Sequence, residues 1–332
     1  MLGCVTLREG FAEQIYFNII YLNYRRVWSL LSDSSPFPLI YAWLFVLSCV
    51  FIFLIKKVLR RKIKLRSGIF SFLLIILAHL SYFYLFWGFN YFRSLISDRM
   101  QLNGNISSNE FIEELRTISN EISVTRNQFC FNEITTNVSD LNSNLSKLVC
   151  DFLERNNLDS YPKVKCRLLR PNGSLLIWST AGIYWPFAGE SQIDAGLHPL
   201  EWPFTMAHEL AHGMGWTDEG ECNFIAYMSC QRSDNKWIKY SGELSYWKYL
   251  VNQLDTKDSL IWNEVKENLN PDILLDVKNI RMTHDQYPYL FPSLRNYIYD
   301  SYLKVNQVKG GSESYNDIIR LVINYKKRII VF

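Results

Sequence analysis

The sequence holds no C-x-x-C pair. Its seven cysteines, Cys4, Cys49, Cys130, Cys150, Cys166, Cys222 and Cys230, are scattered along the chain. That spacing argues against a zinc ribbon and a thioredoxin-like redox motif. Cys130 and Cys150 could pair if their domain faces an oxidising compartment, or remain free buried thiols. An excess of one charge is lacking too: the formal net charge is +3, and a nucleic-acid-binding chain carries a much stronger basic footprint. There is no internal repeat and no low-complexity segment. A cleavable signal peptide is not expected, because Arg8, Glu9 and Glu13 interrupt the start before any apolar run develops.

Aromatic residues, by contrast, make up 15% of the chain, in keeping with a membrane interface. Residues 1–36 mix apolar and aromatic side chains with Asn18, Asn23, Arg25 and Arg26. They are expected to lie at a membrane surface or against other helices, not to span. Ser34-Ser35-Pro36-Phe37-Pro38 then breaks the chain. Two uncharged runs follow, 34–55 with its apolar core at Leu39–Ile55 and 67–92, each sufficient for a transmembrane helix, so that residues 37–92 form a two-helix segment. Loop 56–66 between them carries seven basic residues, which places it in the cytoplasm by the positive-inside rule. Everything after Arg93 is then expected on the other side. His79, inside the second run, reads as a packing residue.

Beyond residue 93 the character changes to that of a folded aqueous domain, 93–332. Residues 108–125 and 140–156 have helical spacing of Ile, Leu and Phe. Val164 to Trp178, split by Pro171-Asn172-Gly173, predicts a strand, a turn and a strand. Gly182-Ile183-Tyr184, with Pro186 close behind, is a candidate edge strand or a packing loop. Helices are predicted over 219–231, 239–255 and 314–326, the last one preceded by Gly310-Gly311.

The densest chemistry lies in Met206-Ala207-His208-Glu209-Leu210-Ala211-His212. Thr205 is placed to cap this helix. His208 and His212 are four residues apart and share one helix face, so both imidazoles can reach one Zn2+ ion. Glu209 then lies beside the metal, where a carboxylate can take a proton from water. An ordinary helix carrying two histidines is the bland alternative.

A catalytic zinc takes three protein ligands and keeps one open position. Asp218, Glu219 and Glu221 compete for the third. Glu219 is favoured because Asn223, at i+4, shares its face and can support it by hydrogen bonding. Glu221 would bring Ile225 toward the metal, and Asp218 lies at a turn. Gly213 and Gly215 would permit the sharp reversal between His212 and Glu219. Tyr240, Tyr315 and His198 are candidate donors to a transition-state oxyanion. His284 has less to recommend it.

Several stretches together resemble a known group, the bacterial membrane-anchored HExxH proteins catalogued as domain of unknown function 3810. They are Trp87–Arg93, Gly182–Glu190, Pro203–His212, Glu219–Phe224, Tyr240–Gly242 and Tyr299–Lys304. The resemblance implies an integral membrane, zinc-peptidase-like protein of the bacterial inner membrane. It also implies one more hydrophobic segment upstream of a start such as Met1-Leu2-Gly3-Cys4, and alanine where this chain has Cys222.

The expected architecture is therefore mainly α (α+β), with two transmembrane helices followed by a zincin-like domain carrying a small edge sheet. The expected function is hydrolysis of a peptide or protein substrate by zinc, with Glu209 as general base and the catalytic domain outside the cytoplasm. The partners expected are that substrate and the lipid bilayer, with no nucleic acid. Two alternatives remain: a non-catalytic membrane protein with a structural or sensing zinc, and an interaction scaffold without metal. An intact Glu209 speaks against the first, because a structural zinc has no use for a base.

Overall fold

The two uncharged runs fold as long helices. In the computed structural model, which describes residues 10–135, 137–161, 163–254, 259–290, 293, 297 and 317–331, they become α2 (Leu39–Leu59) and α3 (Leu65–Phe86). At 1.5 Å per residue each reaches about 30 Å, the thickness of a bilayer's hydrocarbon core. Hardly any of their side chains are buried within the protein. Both are long and apolar enough to cross a membrane.

Ahead of them a π-helical run, Phe11–Tyr21, continues directly into α1 (Leu22–Ser34). One face of this rod is part of the folded domain. Tyr16, Phe17, Tyr21 and Tyr24 are buried with Trp87 and Tyr184. Arg25 is fully buried and donates to the carbonyl of Gly189, with the Tyr184 hydroxyl 3.3 Å away. A buried guanidinium is costly unless its donors are satisfied, so Arg25 fixes the rod to the loop after β2. Glu190 completes the attachment: it accepts from Ser32 Oγ and from the Leu39 N–H at 2.7 Å, and pairs with Arg167 at 3.0 Å. The opposite face exposes Phe11, Ile15, Ile19, Leu30 and Leu31.

After a short helix α4 (Ile96–Arg99) come α5 (Ser108–Gln128) and α6 (Val138–Arg155). A reciprocal capping box between Ser107 and Glu110 starts α5, and Asn137 caps α6. The sheet comprises β1 (Cys166–Leu169), β2 (Gly182–Trp185) and β3 (Glu190–Asp194) in the order β1-β3-β2. β1 pairs parallel with β3, and β2 antiparallel with it, Gly182 opposite Ile193. β2 is therefore an edge strand. The strand expected to end at Trp178 is instead a 3-10 turn, Leu176–Trp178. Asp194 is the cause: its carboxylate accepts from the N–H groups of Gly173 at 2.7 Å and of Leu175 at 2.6 Å, curling this segment away from a ladder.

The remaining helices are α7 (Trp202–Gly213), α8 (Glu219–Gln231), α9 (Lys236–Gln253), α10 (Ser259–Asn268), α11 (Pro271–His284) and α12 (Asp317–Val331). α7 is the centre of the core, packed on α6, α8, α9 and the strands β2 and β3. It begins at Trp202-Pro203, where proline needs no partner for its nitrogen. Thr205 consequently sits inside the helix and does not cap it. The last helix starts at Asp317, and Gly310, Gly311, Tyr315 and the stretch 299–304 lie outside the described residues. Cys130 and Cys150 are free thiols.

Candidate metal centre

The site is assembled from the closing turns of one helix, the start of the next and a strand edge. α7 supplies His208 and His212, one turn apart. Its end is followed by Gly215, whose φ of +92° is a conformation that side chains other than glycine adopt at a cost. That turn reverses the chain and lets α8 begin only seven residues after His212, with Asp218 as its cap. Gly213 remains helical and serves a different purpose: it lets Val164 approach, while its carbonyl accepts from Tyr21 Oη at 2.8 Å.

Glu219, the first residue of α8, points back at the two histidines. Its Oε2 lies 3.1 Å from His208 Nε2 and 3.3 Å from His212 Nε2, and the two Nε2 atoms are 3.1 Å apart. Three donors around one tetrahedral zinc, with bonds of about 2.0–2.1 Å, stand about 3.3 Å from each other. The spacing fits. The protonation chemistry fits as well. His212 Nδ1 donates to the Trp216 carbonyl at 2.9 Å, which leaves an Nε2 lone pair directed at the cluster, the usual way a ligating histidine is oriented. The Cys222 thiol lies 3.4 Å from the same Nδ1, and burial pushes it up to about 12, so it stays neutral. His208 Nδ1 is buried with no hydrogen-bond partner among the described residues. Burial opposes charge on Glu219, yet His212 and His208 hold its carboxyl well below the usual range. These are the residues that could hold a divalent cation.

Glu209 lies on the same helix but turns toward the sheet. Its carboxylate is buried against Gly182 and receives the Tyr184 backbone N–H. Burial pushes its pKa up to about 7, against the lowering influence of His208 and His212. Ser191 Oγ, on β3, donates to the Glu209 carbonyl at 2.6 Å and fixes helix to sheet.

The other two carboxylates weighed as ligands point elsewhere. Glu221 accepts from the Ser97 N–H at 3.1 Å and so caps α4 from outside. Burial and then Asp218 raise its pKa well above normal. Asp218 caps α8 by accepting from the Glu221 N–H at 3.0 Å, and burial pushes it up to about 6.

Of the candidate oxyanion donors, Tyr240 is fully buried and donates to Asp276 at 2.7 Å. His198 accepts from the Leu200 N–H at 3.3 Å, at the start of a 3-10 turn before α7. Neither lines the cavity at the metal cluster. Tyr315 lies outside the described residues. His284 pairs with Glu201 at 2.8 Å, and His79 packs edge-on against Trp43.

A cavity of about 990 Å³ opens over the three donors. It contains a phenol that the sequence reading missed: Tyr249 on α9, which hydrogen-bonds with Asn223 and feels the charge of Glu219. The signal was present, since Ser245, Tyr249 and Asn252 fall on one helix face, and all three line the cavity. Phe83, Trp87 and Trp178 form much of the apolar wall.

The chain belongs to the family described as "Protein of unknown function (DUF3810)", whose model matches residues 16–323. No curated protein and no solved structure matches it.

Proposed function

We propose that this protein is a membrane-anchored zinc metallopeptidase with a zincin-like catalytic domain. The observation that carries this reading is the convergence of His208, His212 and Glu219 within about 3.3 Å of one another, with the carboxylate of Glu209 next to them and an edge strand alongside. A structural zinc site is typically closed by four protein ligands, whereas three leave one position for chemistry.

A zinc ion held by His208, His212 and Glu219 would act as a Lewis acid and would lower the pKa of a water molecule toward ~7. Glu209 takes the proton of the attacking water and passes it to the departing amine. Its burial favours the proton-carrying form, which suits a group that must hold the proton between the two transfers. β2 presents backbone to an extended substrate, as edge strands do. Tyr249 donates to the oxyanion that develops on the scissile carbonyl; a phenol accepting from Asn223 keeps its own proton for this purpose.

The seven basic residues of loop 56–66 support a reading in which that loop is cytoplasmic and the catalytic domain lies on the far side of the inner membrane. A reporter fused at Phe332 that is active only in the cytoplasm overturns this orientation.

The central test is Glu209→Gln, which preserves shape but removes the basic oxygen. Loss of a general base costs about 10²–10⁴-fold in rate. The expected result is a folded protein with full zinc content and almost no cleavage of a mixed peptide library, while His208→Ala loses metal and activity together. If the parent binds zinc but cleaves no better than Glu209→Gln, the peptidase reading fails.

A further inference from the structure

β2 connects the reaction centre to the two apolar helices. At its first residue, Gly182, the backbone lies against the Glu209 carboxylate. At its last, Trp185 meets Trp43 of α2 edge-on, with ring centroids 5.1 Å apart. Phe187, two residues on, stacks on Trp43 at 5.2 Å and on Tyr82 of α3 at 5.4 Å. The strand rise of about 3.3 Å per residue leaves only ~10 Å between Gly182 and Trp185. The cavity repeats this relationship: His208 and Glu209 share it with Phe83, inside α3, and with Trp87 and Tyr91 just beyond its end. The rod before α2 adds a third feature, because Ile15, Ile19, Leu30 and Leu31 form an exposed apolar face on the same domain. Such a face is suited to the headgroup boundary of a bilayer.

We infer that the substrate is a polypeptide tethered to the same bilayer, cut within about three to five residues of the point where it leaves the membrane. This rests on the peptidase reading. A tethered chain emerges beside α2 and α3 and extends along the free edge of β2. It reaches Glu209 after about three residues, the length of that strand. Water is added and the C–N bond breaks: its oxygen bonds to the carbonyl carbon, one proton goes to the departing amine, the other stays with the new carboxyl group until that ionises, and no redox partner is needed. Confinement of both partners to one surface raises their effective concentration without any extra contact. The loop of a soluble protein gains nothing from this arrangement and would have to enter between the domain and the bilayer.

The test uses the full chain in proteoliposomes loaded with zinc. One substrate is a single-span polypeptide whose first fifteen extracytoplasmic residues are randomised, tethered at its N-terminal end in one preparation and at its C-terminal end in another. The second is the same randomised segment as a free peptide. The third carries a twenty-residue Gly/Ser spacer between span and segment. Cleavage sites are read by mass spectrometry, with Glu209→Gln as the blank. The expected result is at least tenfold faster cleavage of a tethered form than of the free peptide, with cuts three to five residues from the span. The spacer should move cutting out of the randomised segment. Equal rates for tethered and free segments, or cuts spread along the tail, overturn the inference and leave the peptidase standing. Absence of cleavage in all three overturns both.

Discussion

A methyl group on Gly182 would sit 2.6 Å from Oε1 and 2.7 Å from Cγ of Glu209. The side chain proposed as base thus occupies the space where the first residue of the edge strand would carry its Cβ. Strand and base are set relative to each other by direct contact. Gly182→Ala must therefore displace the carboxylate or the strand. We expect a fall of about 10²-fold in peptide cleavage, the scale of an ångström-sized misplacement, with zinc content unchanged. Undiminished turnover in Gly182→Ala would show that Glu209 is not the base.

The three acidic residues after the reversal should separate cleanly. Glu219→Ala is expected to lose most bound zinc, measured by elemental analysis of detergent-purified protein. Glu221→Ala should keep its metal but unfold more easily by about 1–3 kcal/mol, because the Ser97 N–H it satisfies is left buried without a partner. Asp218→Ala loses a helix cap worth ~1 kcal/mol, again with metal retained. Full zinc in Glu219→Ala would refute the ligand set.

How far this site was legible depended on local geometry. His208 and His212 follow from one helical period. Glu219 could be preferred because Asn223 falls one turn later on its face, and both line the cavity. Residues whose roles depend on distant partners were not legible. Tyr240 had nothing in its neighbourhood to announce Asp276, thirty-six positions away. Arg25 in an aromatic stretch signals a membrane surface until the Gly189 carbonyl is seen to accept from it. The run 174–178 has strand-like composition, and only the Asp194 carboxylate, taking the N–H groups of Leu175 and Leu176, explains why it turns. The two long apolar helices were legible because their length and composition are local properties that need no tertiary partner.

Stability should depend on pH through Glu243. This residue of α9 is fully buried, and Lys239 comes no closer than 4.0 Å. Burial pushes its pKa up to about 7, against the pull of Thr125 and Lys239. Between the unfolded value of ~4.3 and about 7 the folded protein keeps this proton while the unfolded chain loses it. Stability therefore falls as pH rises through that window and levels off above it. Glu243→Gln stays neutral throughout. Its thermal unfolding should match the parent near pH 4.5 and exceed it near pH 8 by on the order of 2 kcal/mol. An offset that is the same at both pH values would exclude this origin.

The proposed oxyanion donor gives the sharpest division between binding and chemistry. Tyr249 lines the cavity with the three donors, is half-buried, and hydrogen-bonds with Asn223 through its phenol. A hydrogen bond made only as negative charge develops lowers the barrier without tightening the ground state. Removing one such donor costs about 10²–10³-fold in kcat. Tyr249→Phe removes the hydroxyl and keeps the ring, so the expected outcome is that loss in kcat with little change in KM, zinc content or unfolding temperature. Asn223→Ala should act in the same direction but less severely, because it leaves the phenol in place and removes only the group that orients it. A purely structural Tyr249 would shift thermal unfolding and leave kcat near the parent value. Equal kcat in Tyr249→Phe and parent, measured on the same tethered substrate, would transfer the oxyanion role to another donor.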